Sequence, residues 1–176
     1  KAISSFYSYL ESGNVEREKK IAAKNFIANC ENGELLTKER TAVAVLSERE
    51  IPAANFYTAF IYSEGNGKVV KAAPQFVVGS DRENGNEPVM FMSADLRTVY
   101  VGSHRRPGGG KDLFRILRLG DGSWSDMASL GDALRSPQDE DYAFLDKNGR
   151  TLYFSSKGFN SIGGYDIFRT EYDYGT

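Results

Sequence analysis

Asn86–Ser103 reads NEPVMFMSADLRTVYVGS, and Asp139–Ser156 reads DEDYAFLDKNGRTLYFSS. The two stretches align without gaps at an offset of 53 residues, which matches Phe91 with Phe144 and Tyr100 with Tyr153. Self-similarity at a fixed spacing is typical of proteins built from repeated structural units. The chain therefore contains two copies of one unit.

Each copy predicts three short antiparallel strands, because apolar residues alternate with small or polar ones between turn sequences. The third strands match at an offset of 54 residues, since Lys111–Arg115 (KDLFR) corresponds to Tyr165–Arg169 (YDIFR). Three short strands bury little core alone, whereas units stacked around an axis bury a continuous one. We therefore expect a mainly β fold of propeller-type blades. The predicted strands are 88–92, 98–103 and 112–117 in the first copy, and 142–145, 151–156 and 166–170 in the second.

Several short motifs resemble a known family. Trp124-Ser125, Leu130-Gly131, Asp139-Glu140, DKNGRTLYF at 146–154 and GGYDIF at 163–168 are similar to the TolB-like, WD-type β-propeller repeat. The resemblance covers about residues 86–172 and is closest to the version in Gram-negative cell-envelope proteins, where such repeats often accompany helical repeats and OmpA-like domains. It implies a periplasmic or outer-membrane-associated location and a binding role, and it carries over no catalytic motif.

The remaining sequence divides into an N-terminal helical hairpin at 1–33 and a stretch of divergent strands or a partial blade at 34–85. A helical stripe ends at Asn32-Gly33, and a strand at 56–62 is expected to pair with 68–72 through the turn at Glu64–Gly67. The blade repeats then occupy 86–138 and 139–176. Two blades do not close a ring, so we favour a piece of a longer propeller over hidden blades or completion by a partner.

Composition excludes several classes of function. Lys and Arg number 22 against 24 Asp and Glu, so no basic excess suggests nucleic-acid binding. No apolar run is long enough to span a membrane. Cys30 is the single cysteine and His104 the single histidine, which excludes an intrachain disulfide and a Cys/His zinc site within the chain. No motif around His104 indicates a Ser-His-Asp triad. We expect no cofactor.

The loops that follow the second strand of each copy, His104–Lys111 and Lys157–Gly164, are expected to lie at one end of the blades and to form the binding surface. The predicted function is a non-enzymatic protein–protein interaction or scaffold module, with envelope or outer-membrane proteins as partners. The predicted binding residues are His104, Arg105, Arg106, Lys111, Trp124, Lys157, Phe159 and Asn160. The predicted structural residues of the repeat are Asp112, Asp166, Tyr100 and Tyr153.

Other interpretations remain open. Asp139–Asp141 is a carboxylate cluster, and glycosidases need paired carboxylates, so a carbohydrate-binding or glycan-processing propeller is the alternative function. Trp124 is either a packing anchor between blades or an aromatic that stacks on a sugar. Asp146–Gly149 has the opening spacing of a calcium loop but is better explained as a β-turn. A purely architectural spacer is the third possibility.

Overall fold

A computed structural model describes residues 1–13, 15–38, 42, 44–55, 67–104 and 110–173. The chain divides into two compact units. The first comprises Lys1–Glu48 together with Asn160–Gly164, and the second comprises Arg49–Phe159 together with Tyr165–Thr176.

The first unit is a helical hairpin of α1 (Ala2–Glu11) and α2 (Arg17–Lys38). Phe6 stacks on Phe26 with ring centroids 5.4 Å apart, as the apolar stripes predict. The prediction that Asn32-Gly33 ends the second helix is wrong, because α2 continues to Lys38. Gly33 serves packing instead, since a Cβ there would lie 3.3 Å from Ile162 Cδ1. In the described residues no helix is long and apolar enough to cross a membrane.

The second unit contains two antiparallel sheets. The first sheet has the order β1-β2-β3-β4-β5, and the second has the order β6-β7-β8. Three of the predicted strands, β3, β4 and β7, are confirmed with their bounds, and β6 begins two residues earlier than predicted. The strands are β1 (Lys68–Lys71), β2 (Val89–Met92), β3 (Thr98–Ser103), β4 (Asp112–Leu117), β5 (Ala128–Ser129), β6 (Glu140–Leu145), β7 (Thr151–Ser156) and β8 (Asp166–Glu171), with a short helix α3 (Gly79–Glu83) between β1 and β2.

The repeat is visible in the register of the two sheets. Tyr100 lies opposite Arg115 in the first sheet, as Tyr153 lies opposite Arg169 in the second. We call the face that carries these side chains the front face of each sheet, and the opposite face the back face. Corresponding residues of the two copies therefore occupy corresponding places in the two sheets.

Two apolar clusters lie on the two faces of the first sheet. On its back face, Val99, Val101 and Phe114 are buried together with Phe76 from a 3-10 turn. On its front face, Leu113 is buried against the back face of the second sheet, where the cluster is completed by Ala143, Leu152 and Phe154. The front of the first sheet thus packs on the back of the second, because only this pairing buries the apolar side chains of both.

The turns between the first two strands of each copy also correspond. Gly149 has a φ of 67°, which glycine adopts without a steric cost, and its counterpart Leu96 has a φ of 58°. Asn148 Oδ1 accepts hydrogen bonds from the backbone N–H groups of Arg150 and Thr151. Asp146–Gly149 is therefore a β-turn held by its own side chains.

Two predictions reach beyond what the structure describes. The strand predicted at 56–62 and its turn at 64–67 lie outside the described residues apart from Gly67, and β1 pairs with β2. The described strands form two open antiparallel sheets and close into neither a barrel nor a propeller ring. The expected mixture of an N-terminal helical pair and antiparallel sheets is confirmed at this coarser level.

Candidate interaction site at the loop end of the sheets

The acidic triplet Asp139–Asp141 spans the start of β6, with Asp139 just before the strand. It lies at the end of the sheets where β3 and β7 finish, which we call the loop end. Asp139 Oδ1 accepts the backbone N–H of Lys111 at 3.0 Å, and Asp139 Oδ2 accepts Lys157 Nζ at 2.7 Å. Asp141 Oδ2 accepts Lys111 Nζ at 2.6 Å, and both side chains of this pair are largely buried. Two of the predicted binding residues are thus brought together by the triplet.

Glu140, the middle residue of the triplet, is fully buried. Its carboxylate accepts hydrogen bonds from the hydroxyl of Ser156 at 2.7 Å and from the hydroxyl and backbone N–H of Ser136. A buried carboxylate is stable only when such donors replace water. Glu140 therefore fixes the end of β7 to the start of β6.

The first copy uses a different residue for the same purpose. Asp81, in α3, is fully buried, and its carboxylate accepts the hydroxyl of Ser103 at 2.7 Å and the backbone N–H of His104 at 2.8 Å. Ser103 corresponds to Ser156 in the repeat. Each second strand therefore ends in a serine that donates to a buried carboxylate, although the carboxylates come from different parts of the sequence.

Hydrogen bonds and ion pairs determine how these acids ionise. Burial alone raises the pKa of Asp139, but the hydrogen bonds from Lys157 and from the Lys111 backbone outweigh it and leave the pKa lowered. Burial likewise raises the pKa of Asp81, and the donors from His104, Ser103 and Asn86 reverse that effect. Asp139 is therefore a carboxylate at neutral pH, whereas the general acid of a glycosidase must carry a proton.

An aromatic and basic patch covers this network. Tyr142 follows the triplet at an irregularity in β6, has a φ of 52° and is 49% exposed. Its ring meets Tyr165 edge-to-face with centroids 5.6 Å apart, and Lys157 Nζ lies 4.8 Å from the Tyr165 ring centroid. A positive φ is uncommon for a residue with a bulky side chain. We name Tyr142, Lys157 and Tyr165 the loop-end patch.

Tyr165 is the partly buried member of the patch. Burial, and then the negative charge of Asp141, raises the pKa of its phenol above the ordinary value. The phenol is therefore neutral at physiological pH and can both donate and accept hydrogen bonds. Together with the cation of Lys157 it offers an amphipathic surface of the kind found at protein interfaces.

The other predicted binding residues lie apart from the patch or outside the description. The His104 side chain is only 17% exposed, with its Nδ1 3.4 Å from Asp81 Oδ1. Arg105 and Arg106 lie outside the described residues. Phe159 is partly exposed but packs its ring against Phe154 and Phe168, and the carbonyl of Asn160 accepts Asn32 Nδ2 at 2.8 Å within the helical unit.

Trp124 belongs to the cluster on the back face of the first sheet. Its ring meets Phe76 edge-to-face at 5.3 Å, and the Arg118 guanidinium lies 5.9 Å from the ring centroid. A cavity of about 400 Å³ is lined by Trp124 together with Gln75, Asp126 and other residues. Trp124 is thus a packing anchor on the back face of the first sheet and not between the two described sheets, and it borders a concave surface with one carboxylate.

The four structural residues of the repeat differ in burial between the copies. Asp112 is buried and lies 3.4 Å from Arg135 Nε, whereas Asp166 is half-buried. Tyr100 is half-buried against the second sheet, whereas Tyr153 is 37% exposed. Equal positions in the sequence repeat therefore have unequal surroundings.

Sequence reasoning missed Tyr142, Tyr165 and Asp81, and it treated Glu140 only as a member of a carboxylate cluster and not as a buried structural residue. The repeat alignment marked the Asp-Glu start of the second copy, but the irregularity that turns Tyr142 outward has no sequence signal. Among the described residues no group of three His, Cys, Asp or Glu side chains could hold a metal ion. Comparisons of the chain with protein-family models, with curated proteins and with solved structures found no match.

Proposed function

We propose that this chain is a non-enzymatic protein–protein interaction or scaffold module whose two sheets are blades of a TolB-like propeller repeat. The observation that carries the proposal is the loop-end patch, in which an exposed Tyr142 in a left-handed conformation stands beside Tyr165 and Lys157. Strained residues cluster at functional sites, and tyrosines with cationic neighbours dominate binding at protein interfaces.

The charges beneath the patch support binding in preference to catalysis. Asp139 and Asp141 are neutralised by Lys157 and Lys111, and Glu140 is enclosed by serine donors. These contacts join β6 to β7 and to the residue before β4, and those of the buried Glu140 and Asp141 are the ones whose loss would loosen the fold. The carboxylates therefore serve to hold the surface on which a partner binds.

The proposed location is the periplasm or the outer-membrane-associated envelope, and the proposed partners are envelope or outer-membrane proteins. Both follow from the resemblance of 86–172 to the envelope repeat. The first measurement is affinity purification of the tagged chain from an envelope fraction, followed by mass spectrometry of the proteins that accompany it.

Variants of the patch make this measurement specific. Tyr142→Asn removes the ring but tolerates the positive φ, and we expect it to weaken capture of the partner at least about tenfold. Tyr172→Asn is the matched control, because Tyr172 is 59% exposed and follows β8 at the opposite end of the strands. Lys157→Gln and Lys147→Gln form a second pair.

The proposal fails if the Tyr142→Asn and Lys157→Gln chains keep the partner while their unfolding transitions are unchanged. Equal loss in all four variants would also contradict it, because the binding surface would then lie elsewhere.

A second candidate function, glycan recognition, is favoured by the cavity beside Trp124. An indole ring next to the carboxylate of Asp126 and the amide of Gln75 has the groups that sugar-binding sites use. Titration with a panel of soluble oligosaccharides that includes peptidoglycan fragments should then quench Trp124 fluorescence, and Asp126→Asn should weaken that response. An unchanged spectrum with every sugar removes this candidate.

A further inference from the structure

Corresponding side chains of the two sheets have opposite exposures. Leu113, on the front face of the first sheet, is 2% exposed beneath the second sheet. Its counterpart Ile167, on the front face of the second sheet, is 79% exposed. The second sheet thus presents, uncovered, the kind of apolar side chain that the first sheet buries.

The space around two corresponding glycines, Gly110 and Gly164, also differs between the copies. A Cβ at Gly110 would lie 2.2 Å from the carbonyl oxygen of Gln138, because the chain that leads into the second sheet passes directly over it. Gly164 is the counterpart of Gly110. A Cβ at Gly164 would meet no atom within 4 Å among the described residues, and its φ does not lie in the region that favours glycine. Gly164 therefore has no close backbone neighbour of the kind that covers Gly110.

We propose that the front face of the second sheet is a docking surface for a further antiparallel sheet of the same repeat, seated as the second sheet is seated on the first. The occupant would present an apolar back face like that formed by Ala143, Leu152 and Phe154. An acidic pair would stand at the start of its first strand, in the place that Asp139 and Glu140 have at the start of β6. In the second sheet, Asp139 accepts the backbone N–H of Lys111.

The front face of the second sheet also limits the size of one side chain of its occupant. Gly102 leaves room for the second sheet, because a Cβ there would lie within 3.0 Å of the Asp141 carboxylate. Ser155 occupies the corresponding place on the second sheet. The incoming sheet therefore carries a residue smaller than Asp at the position of Asp141, or lies farther from the strand.

A second folded copy of this chain does not fit as the occupant. Its second sheet has a covered back face, since Leu152 and Phe154 are buried against the first sheet. The back face of its first sheet is also covered, since Val99 and Val101 are fully buried in the cluster with Phe76. Among the described residues neither sheet offers an open back face, so the occupant is a separate repeat.

The test extends the chain by one repeat. A second copy of 123–176 that carries Asp141→Ala, which removes the overlap with Ser155, is joined after the last residue. The junction keeps the spacing of 24 residues that separates Arg115 from Asp139. Ile167→Cys is introduced into the original copy in a Cys30→Ser background, and its labelling by a neutral maleimide is followed under native conditions. We expect labelling to slow at least about tenfold in the extended chain, because burial removes the thiol from solvent.

Two controls identify the cause of any protection. Leu119→Cys, at a site that is 47% exposed outside the front face, should label equally fast in both chains. Leu152→Asp in the added copy should restore fast labelling of Ile167→Cys, because a charged back face cannot dock. The inference is overturned if Ile167→Cys labels equally fast in the extended and original chains, or if Leu152→Asp leaves the protection intact.

This inference rests on the repeat packing of the proposed function and not on its partner. Protection of Ile167→Cys and capture through Tyr142 can therefore fail separately, and each failure identifies which proposal is wrong.

Discussion

The contrast between Leu113 and Ile167 gives a prediction about stability. Leu113→Thr and Ile167→Thr both place a β-branched polar residue in a strand, so strand propensity changes little. Leu113 is 2% exposed, and the substitution costs about 2 kcal/mol of apolar burial plus about 1–3 kcal/mol for a hydroxyl buried without a partner. Ile167 buries only about a fifth of its side chain, which corresponds to roughly 0.3–0.6 kcal/mol.

The assay is urea unfolding followed by the fluorescence of Trp124, the single tryptophan, which lies in the same unit as both strands. We expect Leu113→Thr to lower the free energy of unfolding by about 3–5 kcal/mol and Ile167→Thr by less than about 1 kcal/mol. Equal losses for the two variants would refute the assignment of a covered front face to one sheet and an open front face to the other.

Three further predictions concern backbone and charge. Gly110→Ala should destabilise the second unit by about 1–3 kcal/mol, because its Cβ would overlap the backbone of Gln138, whereas Gly164→Ala should cost less than about 0.5 kcal/mol in the same urea assay. Gly149→Ala should cost about 1–2 kcal/mol in that assay through its φ of 67°, since the space around it is open; a neutral result would mean that the turn relaxes. Asp139 has a lowered pKa in the folded state, so its contribution is complete above the unfolded value of 3.8 and is lost as pH falls through the folded pKa. Unfolding free energies measured from pH 6 down to about pH 2 should therefore fall less steeply for Asp139→Asn than for the parent chain; parallel curves would contradict this.

The strands could be predicted from sequence because each copy carries a period-two pattern between turn residues, and the two copies support each other. Thr98–Ser103 and Thr151–Ser156 are β3 and β7 with the predicted bounds. The end of α2 could not be predicted, because Gly33 reads as a helix stop in sequence and its packing against Ile162 is a long-range contact. Local pattern reports local structure, and long-range packing overrides it at single residues.

The candidate site was predictable only in outline. The loops around Lys111 and Lys157 follow from the repeat, and the structure places both lysines on the acidic triplet. The exposure of Tyr142 depends on an irregularity in the pairing of β6 with β7, which no spacing in the sequence indicates. The role of Asp81 could not be predicted for another reason, since Asp81 lies outside the aligned stretches. It accepts the hydroxyl of Ser103 as Glu140 accepts that of Ser156, but the two acids do not correspond in the sequence.

The packing of a front face on a back face has a consequence for symmetry. Such a contact is heterologous, because the two surfaces that meet are different. A two-fold axis cannot relate them, since it would bring two copies of the same surface together. If further sheets were added by the same operation, the stack would have a direction, and the rotation that relates Tyr100 to Tyr153 would be repeated at every step. The size of that single rotation would decide whether successive repeats return to the starting sheet or advance along a helical axis.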